Sequence, residues 1–274
     1  LRRASAALLA AASLCSVARA EPTAPGSFDA GEIARRAAEL MRGPHTYLEA
    51  TLIVAGSRRS RSRELAFRRY DDRESDRTLV RIFPPGEHAG MAWLKLPPNL
   101  WSFTPGDGRR LRLPWAVLRE PWMESAFTID DLVHGSSELR DYEPRLLEET
   151  LGAGEHGDRR AFVLEFLPRE GSLAAWGRIV AWIDAEHATP LRKDFYDRDG
   201  TLVRSLRLGD VREAGGRRYP HLWIVSRPDA PGSETRLRVD SVRFDASFDP
   251  ALFSTRSLGM GEAALHSPRA GGDP

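Results

Sequence analysis

From Asp76 to Leu113 the chain reads DRTLVRIFPPGEHAGMAWLKLPPNLWSFTPGDGRRLRL. Four short runs, RTLVRIF (77–83), GMAWLKL (90–96), NLWSFT (99–104) and RRLRL (109–113), are cut apart by PPGEH, PPN and PGDG. Proline and glycine at those places break helices and supply the turns that join neighbouring antiparallel strands, so the stretch reads as a meander. In GMAWLKL, Met91 and Trp93 oppose Ala92, Leu94 and Leu96, which makes both faces apolar. A sheet covered on both sides explains this, and so does a curved sheet round a greasy hollow. Apolar stripes alone leave packed core and ligand cavity both open.

Working outward, TYLEATLIV (46–54) sets Leu48, Ala50, Leu52 and Val54 on one face, and SRELAFRRY (62–70) follows as a second strand. Before them lies a helical pattern with Ser27 or Asp29 as cap, Glu32 completing a capping box, and Ile33, Ala37, Leu40 and Met41 at helical spacing; Gly43-Pro44 ends it. After residue 113 the strand pattern lapses for about fifty residues, a length that marks a functional or separately structured segment. It resumes in RAFVLEFLP (160–168), GRIVAWID (177–184), PLRKDFYD (190–197), TLVRSLRL (201–208), RRYPHLWIVSR (217–227) and ETRLRVDSVRF (234–244). Ten to twelve strands and a single long helix make a mainly β protein with one domain over 21–257, and the small, polar residues 258–274 read as a disordered tail.

Residues 1–20 carry Arg2 and Arg3, then the apolar ASAALLAAASLCSV, then Ala18-Arg19-Ala20. A basic start, an apolar run too short to span a bilayer and an A-x-A site are the marks of a cleaved signal peptide, which predicts a periplasmic protein beginning at Glu21. Cys15, the sole cysteine, offers a lipoprotein alternative, which Leu14 directly before it disfavours. Cleavage after Ala20 removes that cysteine, so neither disulfides nor thiolate metal sites are expected. It also removes three arginines and takes the formal charge from +1 to about −2. A nearly neutral chain argues against nucleic acid as partner, despite the basic run GSRRSRSRE at 56–64.

The lapse contains EPWMESAFTIDDL (120–132), with Trp122, Met123, Phe127, Ile129 and Leu132 set among Glu124, Asp130 and Asp131. Two acids adjacent in sequence tend to point apart rather than flank one glycosidic bond, and Thr128 can cap a short helix whose first turn takes Asp130 and Asp131. The seven histidines (45, 88, 134, 156, 187, 221 and 266) form no H-x-H or H-E-x-x-H, so no metal is expected. Nucleophile-elbow and phosphate-loop motifs are absent, and His134 with Ser136, Ser137 and Asp130 offers only loop polarity for nucleophilic chemistry. No catalytic residue, enzyme activity or cofactor is expected.

The order of these pieces resembles the outer-membrane lipoprotein-sorting proteins of the LolA-like superfamily. The likeness runs from DRTLVRIFPPGEHAGMAWLKLPPNLWSFTPGDGRRLRL through WMESAFTIDDL to DFYDRDGTLVRSLRLGDV and YPHLWIVSRPDAPGSETRLRVDSVRFDASFDPALFS, about Ala30 to Leu258. Two positions depart from the family pattern. Glu124-Ser125-Ala126-Phe127 stands where the family has Gly-Ser-Asp-Phe, and Phe103 replaces a tyrosine after Trp101, keeping the ring without its hydroxyl.

The resemblance implies an open, curved antiparallel sheet, an unclosed half-barrel of about 11 strands, wrapped around a long N-terminal helix with short lid helices. It implies a periplasmic carrier that binds acyl chains of lipids or lipoproteins in a hydrophobic cavity and moves them toward the outer membrane, as a monomer served by an inner-membrane transporter complex. A lipid sensor or interaction module on the same fold is the alternative, with a hydrolase third. Trp93, Trp101, Phe103, Trp115, Trp122, Met123, Phe127, Leu132, Phe166 and Trp182 are expected as cavity wall and lid, and the acids of 120–132 as the wet side that keeps the lid soluble.

Overall fold

The structure is a computed structural model that describes residues 28–55, 62–133, 138–151, 159–172, 174–231 and 234–260. Residues 1–20, expected to be a signal peptide, with Cys15, and His134, Ser136 and Ser137 lie outside the described residues.

Asp29 caps the first helix, α1 (Ala30–Met41), by accepting the Gly31 amide at 2.8 Å. Ile33, Ala34 and Ala37 are its buried face. The chain turns at Gly43, where an added Cβ would overlap the carbonyl of Phe244, so close approach of two backbones fixes the residue type. Strands β1 (His45–Val54), β2 (Arg63–Asp72), β3 (Arg77–Ile82), β4 (Ala92–Leu96), β5 (Asn99–Thr104) and β6 (Arg109–Leu113) then form the expected meander.

The second half holds β7 (Tyr142–Leu151), β8 (Arg160–Pro168), β9 (Arg178–Asp184), β10 (Pro190–Tyr196), β11 (Leu202–Ala214), β12 (Arg217–Ser226) and β13 (Glu234–Arg243). All thirteen strands make one antiparallel sheet in the order β6-β5-β4-β3-β2-β1-β13-β12-β11-β10-β9-β8-β7. Pairing of β1 with β13 joins the two meanders, while β6 and β7 remain as unclosed edges.

The count exceeds the expected eleven, and β7 is a strand that alternation does not reveal. Its sequence YEPRLLEETL carries Pro144, three glutamates and a bulge between Leu146 and Glu148. An edge strand tolerates all three features, since one side of its backbone need not pair, and they discourage pairing with another chain. Arg109, Arg110 and Arg112 do the same for β6.

Period two separates two apolar clusters. Leu48, Ala50, Leu52, Leu65, Phe67, Val80, Ile82, Trp93, Phe162, Leu164, Ile179, Phe195, Leu206 and Trp223 belong to the larger one, on the concave face with α1. Tyr47, Tyr70, Leu79, Ala92, Leu94 and Phe103 belong to the other, which Ala246, Leu252, Phe253 and Leu258 cover. The two-sided apolar strands of 76–113 are thus packed on both faces. Arg81 fixes the covering segment by donating to the carbonyls of Ser257 and Leu258, both at 2.8 Å, and Met260 at 2.7 Å. Leu258 is fully buried and Ser257–Gly259 forms a helical turn. The helix is shorter in reach than expected: α1 packs against β7, β12 and α3 (Glu138–Asp141), one half of the sheet.

Candidate binding site on the concave face

The segment 114–141 runs from one sheet edge to the other. It contains two short 3-10 turns, Trp115–Arg119 and Trp122–Glu124, then α2 (Ile129–Val133) and α3. Residues 120–129 close on themselves, with the Trp122 amide donating to the Phe127 carbonyl at 2.7 Å and the Ile129 amide to the Glu120 carbonyl at 3.2 Å. Thr128 and Asp131 make a capping pair: the Thr128 amide (2.8 Å) and hydroxyl (3.0 Å) both donate to Asp131 Oδ2.

Met123 and Glu124 are both left-handed, at φ 52° and 57°. Such a conformation costs a side-chain-bearing residue about 1–2 kcal/mol. Glu124 stands where the lipoprotein-sorting pattern has glycine, and the backbone conformation supplies the physical reason for a glycine there.

Polar bonds tie the segment to both halves of the sheet. Arg63 of β2 reaches the Met123 carbonyl and the Glu124 carboxylate, the latter at 3.2 Å. The Thr78 hydroxyl of β3 donates to the Val133 carbonyl at 3.3 Å, and the Ala126 amide donates to Thr235 Oγ1 of β13 at 3.1 Å. Arg204 of β11 grips Asp131 with two bonds of 2.5 and 2.7 Å. Lys193 of β10 bonds both oxygens of Glu138 at 2.7 Å, and Arg140 meets Asp76 at 2.7 Å.

Of the expected wall and lid residues, Trp93, Trp122, Phe127, Leu132 and Phe166 come together in the concave cluster, with Trp115 and Met123 partly buried against it. Trp122 stacks edge-on against Phe67 and Trp93, with ring centres 5.1 and 5.5 Å away. Phe127 is completely buried. Trp101, Phe103 and Trp182 are not brought there. Register pairs Trp101 with Leu94 and Phe103 with Ala92, which places both under the C-terminal segment. Trp182 alternates with the concave residues Ala181 and Ile183 and lies beneath the Arg192 guanidinium at 4.8 Å.

The acids also divide. Glu124 is exposed as expected, but Asp131 is nearly buried in its bond to Arg204, so it faces the sheet and holds the segment down. The wet-side reading fails for Asp131 because a buried guanidinium waits beneath it.

Between the segment and the sheet remains a cavity of about 90 Å³. Its apolar wall includes Leu48, Phe127, Ile179, Phe195, Leu206 and Trp223; Arg42, Arg69, Asp130, Glu138, Asp141 and Lys193 also line it. Arg42 donates from Nη2 to Asp71 at 2.8 Å, and Arg69 binds the same carboxylate beside the Thr78 hydroxyl. Burial opposes the charge on Asp71, yet the two guanidiniums and the hydroxyl outweigh it and hold the carboxyl below its ordinary range. Burial pushes the phenols of Tyr142 and Tyr219 up, so both stay protonated.

These charged residues escape a search for catalytic motifs. One signal was available in RELAFRRYDD, where Leu65, Phe67, Arg69 and Asp71 share a face and so carry charge onto the apolar side. Among the described residues no group of three or more His, Cys, Asp or Glu is placed to hold a metal, and no helix is long and apolar enough to cross a membrane.

Three solved structures share the architecture. A LolA superfamily protein from Nitrosomonas europaea matches at 18% identity and TM-score 0.72, covering 84% of this chain and 100% of that one. A domain described as an outer membrane lipoprotein-sorting protein, from Vibrio parahaemolyticus, matches at 23% identity and TM-score 0.71, covering 84% and 98%. A DUF1329 family protein from Desulfovibrio piger matches at 20% identity and TM-score 0.73, covering 84% and 97%. At these identities the likeness establishes the fold. No curated protein matches the sequence. A family model described as "Uncharacterized protein" matches residues 74–260, from the turn before β3 to the end of the C-terminal cover. With most of its length inside that match, the chain belongs to this family and has the LolA-like fold.

Proposed function

We propose that the protein is a periplasmic carrier that holds the acyl chain of a lipid or lipoprotein against the concave face, beneath segment 114–141, and moves it toward the outer membrane. One observation carries the reading: a mostly apolar concave face is covered by a segment that joins two unpaired sheet edges and inserts Trp122 and Phe127 like a plug. Each acyl CH₂ buried there contributes about 0.8 kcal/mol, so ten supply roughly 8 kcal/mol without any reaction chemistry.

The cavity of about 90 Å³ is smaller than the ~150 Å³ apolar cavity that admits benzene. An acyl chain therefore enters only as Phe127 leaves. The lipoprotein-sorting description of the Vibrio domain and the basic, apolar, A-x-A pattern of residues 1–20 support the periplasmic part of the proposal. Fractionation and N-terminal sequencing should find a soluble periplasmic chain starting at Glu21; a cytoplasmic or uncut chain contradicts it.

The test of binding is a lock. Ala126 and Thr235 are hydrogen-bonded across the segment and β13, which makes them the pair to replace by cysteines in a chain with Cys15→Ser. Oxidised Ala126→Cys/Thr235→Cys should lose binding of a fluorescent fatty acid, and reduction should restore it. Equal binding in both states, or none in either, overturns the proposal.

A further inference from the structure

The concave cavity is not uniformly polar. Arg42 and Arg69, both of which line it, share the single carboxylate of Asp71. Lys95 is paired with Asp76 at 2.7 Å. Asp130, Glu138, Asp141 and Tyr142 line the cavity as well. Glu138 is bound to Lys193 and Asp141 to Arg140, and the neighbouring Asp131 is taken by Arg204.

Arg42 is 2% exposed, and among the described residues its Nη1 is buried without a hydrogen-bond partner. A guanidinium N–H left unbonded in the interior is costly, and native proteins satisfy nearly all such groups. Arg42 is among the residues that line the cavity. About 90 Å³ corresponds to roughly three waters. That space is about the size of a carboxylate and its adjoining methylene.

Resting on the carrier reading, we infer that the cavity receives a single-chain carboxylate amphiphile head first, with the ionised carboxylate on Arg42 Nη1 and the chain in the space that Phe127 vacates. A cationic head is repelled by the two guanidiniums, and a neutral hydroxyl accepts from Nη1 only a weaker hydrogen bond without the opposite charge. Charge-assisted hydrogen bonds of this kind confer selectivity rather than bulk affinity, which the chain supplies.

Calorimetric titration of the full chain with dodecanoate, dodecanol and dodecylammonium tests this. Dodecanoate should bind about tenfold or more tighter than the other two, the margin expected of hydrogen bonds to a charged group. Arg42→Met should bring acid and alcohol within about twofold of each other, and Arg42→Lys should keep part of the preference. Equal binding of acid and alcohol by the unaltered protein, or an undiminished preference in Arg42→Met, overturns the head-first placement and leaves the carrier standing. Failure of all three probes to bind overturns both. Carboxyl-labelled ¹³C-dodecanoate bound to the unaltered protein gives a second readout if Arg42→Met does not fold. Its resonance should titrate at lower pH than the free acid, and a resonance titrating at the same pH or higher overturns the inference.

Discussion

Phe127 carries the clearest prediction at the scale of the residue. It is wholly buried, it lines the cavity, and it belongs to a segment anchored by side-chain bonds rather than by strand pairing. Phe127→Ala should cost about 3–5 kcal/mol of stability, the usual figure for truncating a buried aromatic. If the ring is a plug in ligand space, the same variant should bind a fatty acid more tightly, because the space no longer has to be emptied. Thermal unfolding and a binding titration on one sample settle the matter. Lost stability with unchanged or weaker binding identifies Phe127 as ordinary core.

At the scale of the element, α2 is a five-residue helix that could not persist alone. What holds it is Asp131, which caps the helix through Thr128 and bridges to Arg204 on β11. Arg204 is nearly fully buried and lies over Phe195 and Trp176. Removing the carboxylate strands a charge in the interior, so Asp131→Ala should destabilise the protein by about 3 kcal/mol or more. Hydrogen exchange should rise first over 120–133 while β1 and β13 stay protected. Unchanged exchange in that stretch would show that the ion pair does not control the segment.

The whole molecule should be sensitive to acid. Asp71 and Asp76 are opposed by burial, but Arg42, Arg69 and Thr78 on one, and Lys95 and Arg140 on the other, outweigh it and depress both. A depressed carboxyl contributes stability that is full above its unfolded value of about 3.9 and is lost as pH falls through the lower folded value. Denaturant midpoints should therefore hold steady down to about pH 4 and fall below it. Asp71→Asn should be less stable than the parent at neutral pH and should show a shallower fall in acid. A parallel fall in both proteins would mean that the Arg42–Asp71–Arg69 group does not govern the acid limb.

Local pattern was enough for much of this protein. Alternation in 46–113 and 160–244 and Pro/Gly punctuation mark twelve of the thirteen strands, because side-chain direction in a strand depends only on neighbours in sequence. The aromatic and acidic character of 120–132 likewise marks the segment that crosses the concave face. Other features depend on positions far apart in the chain. β7 is a strand because β8 offers its edge, and its own residues do not demand it. Trp101, Phe103 and Trp182 turn away from the concave face through register, which residue type cannot reveal. Asp131 faces inward because Arg204, seventy-three residues later, is already buried beneath it. The unpartnered Nη1 of Arg42 exists only once helix end, β2 and cavity meet. Burial and charge pairing are properties of that assembled space, so tertiary structure alone decides them.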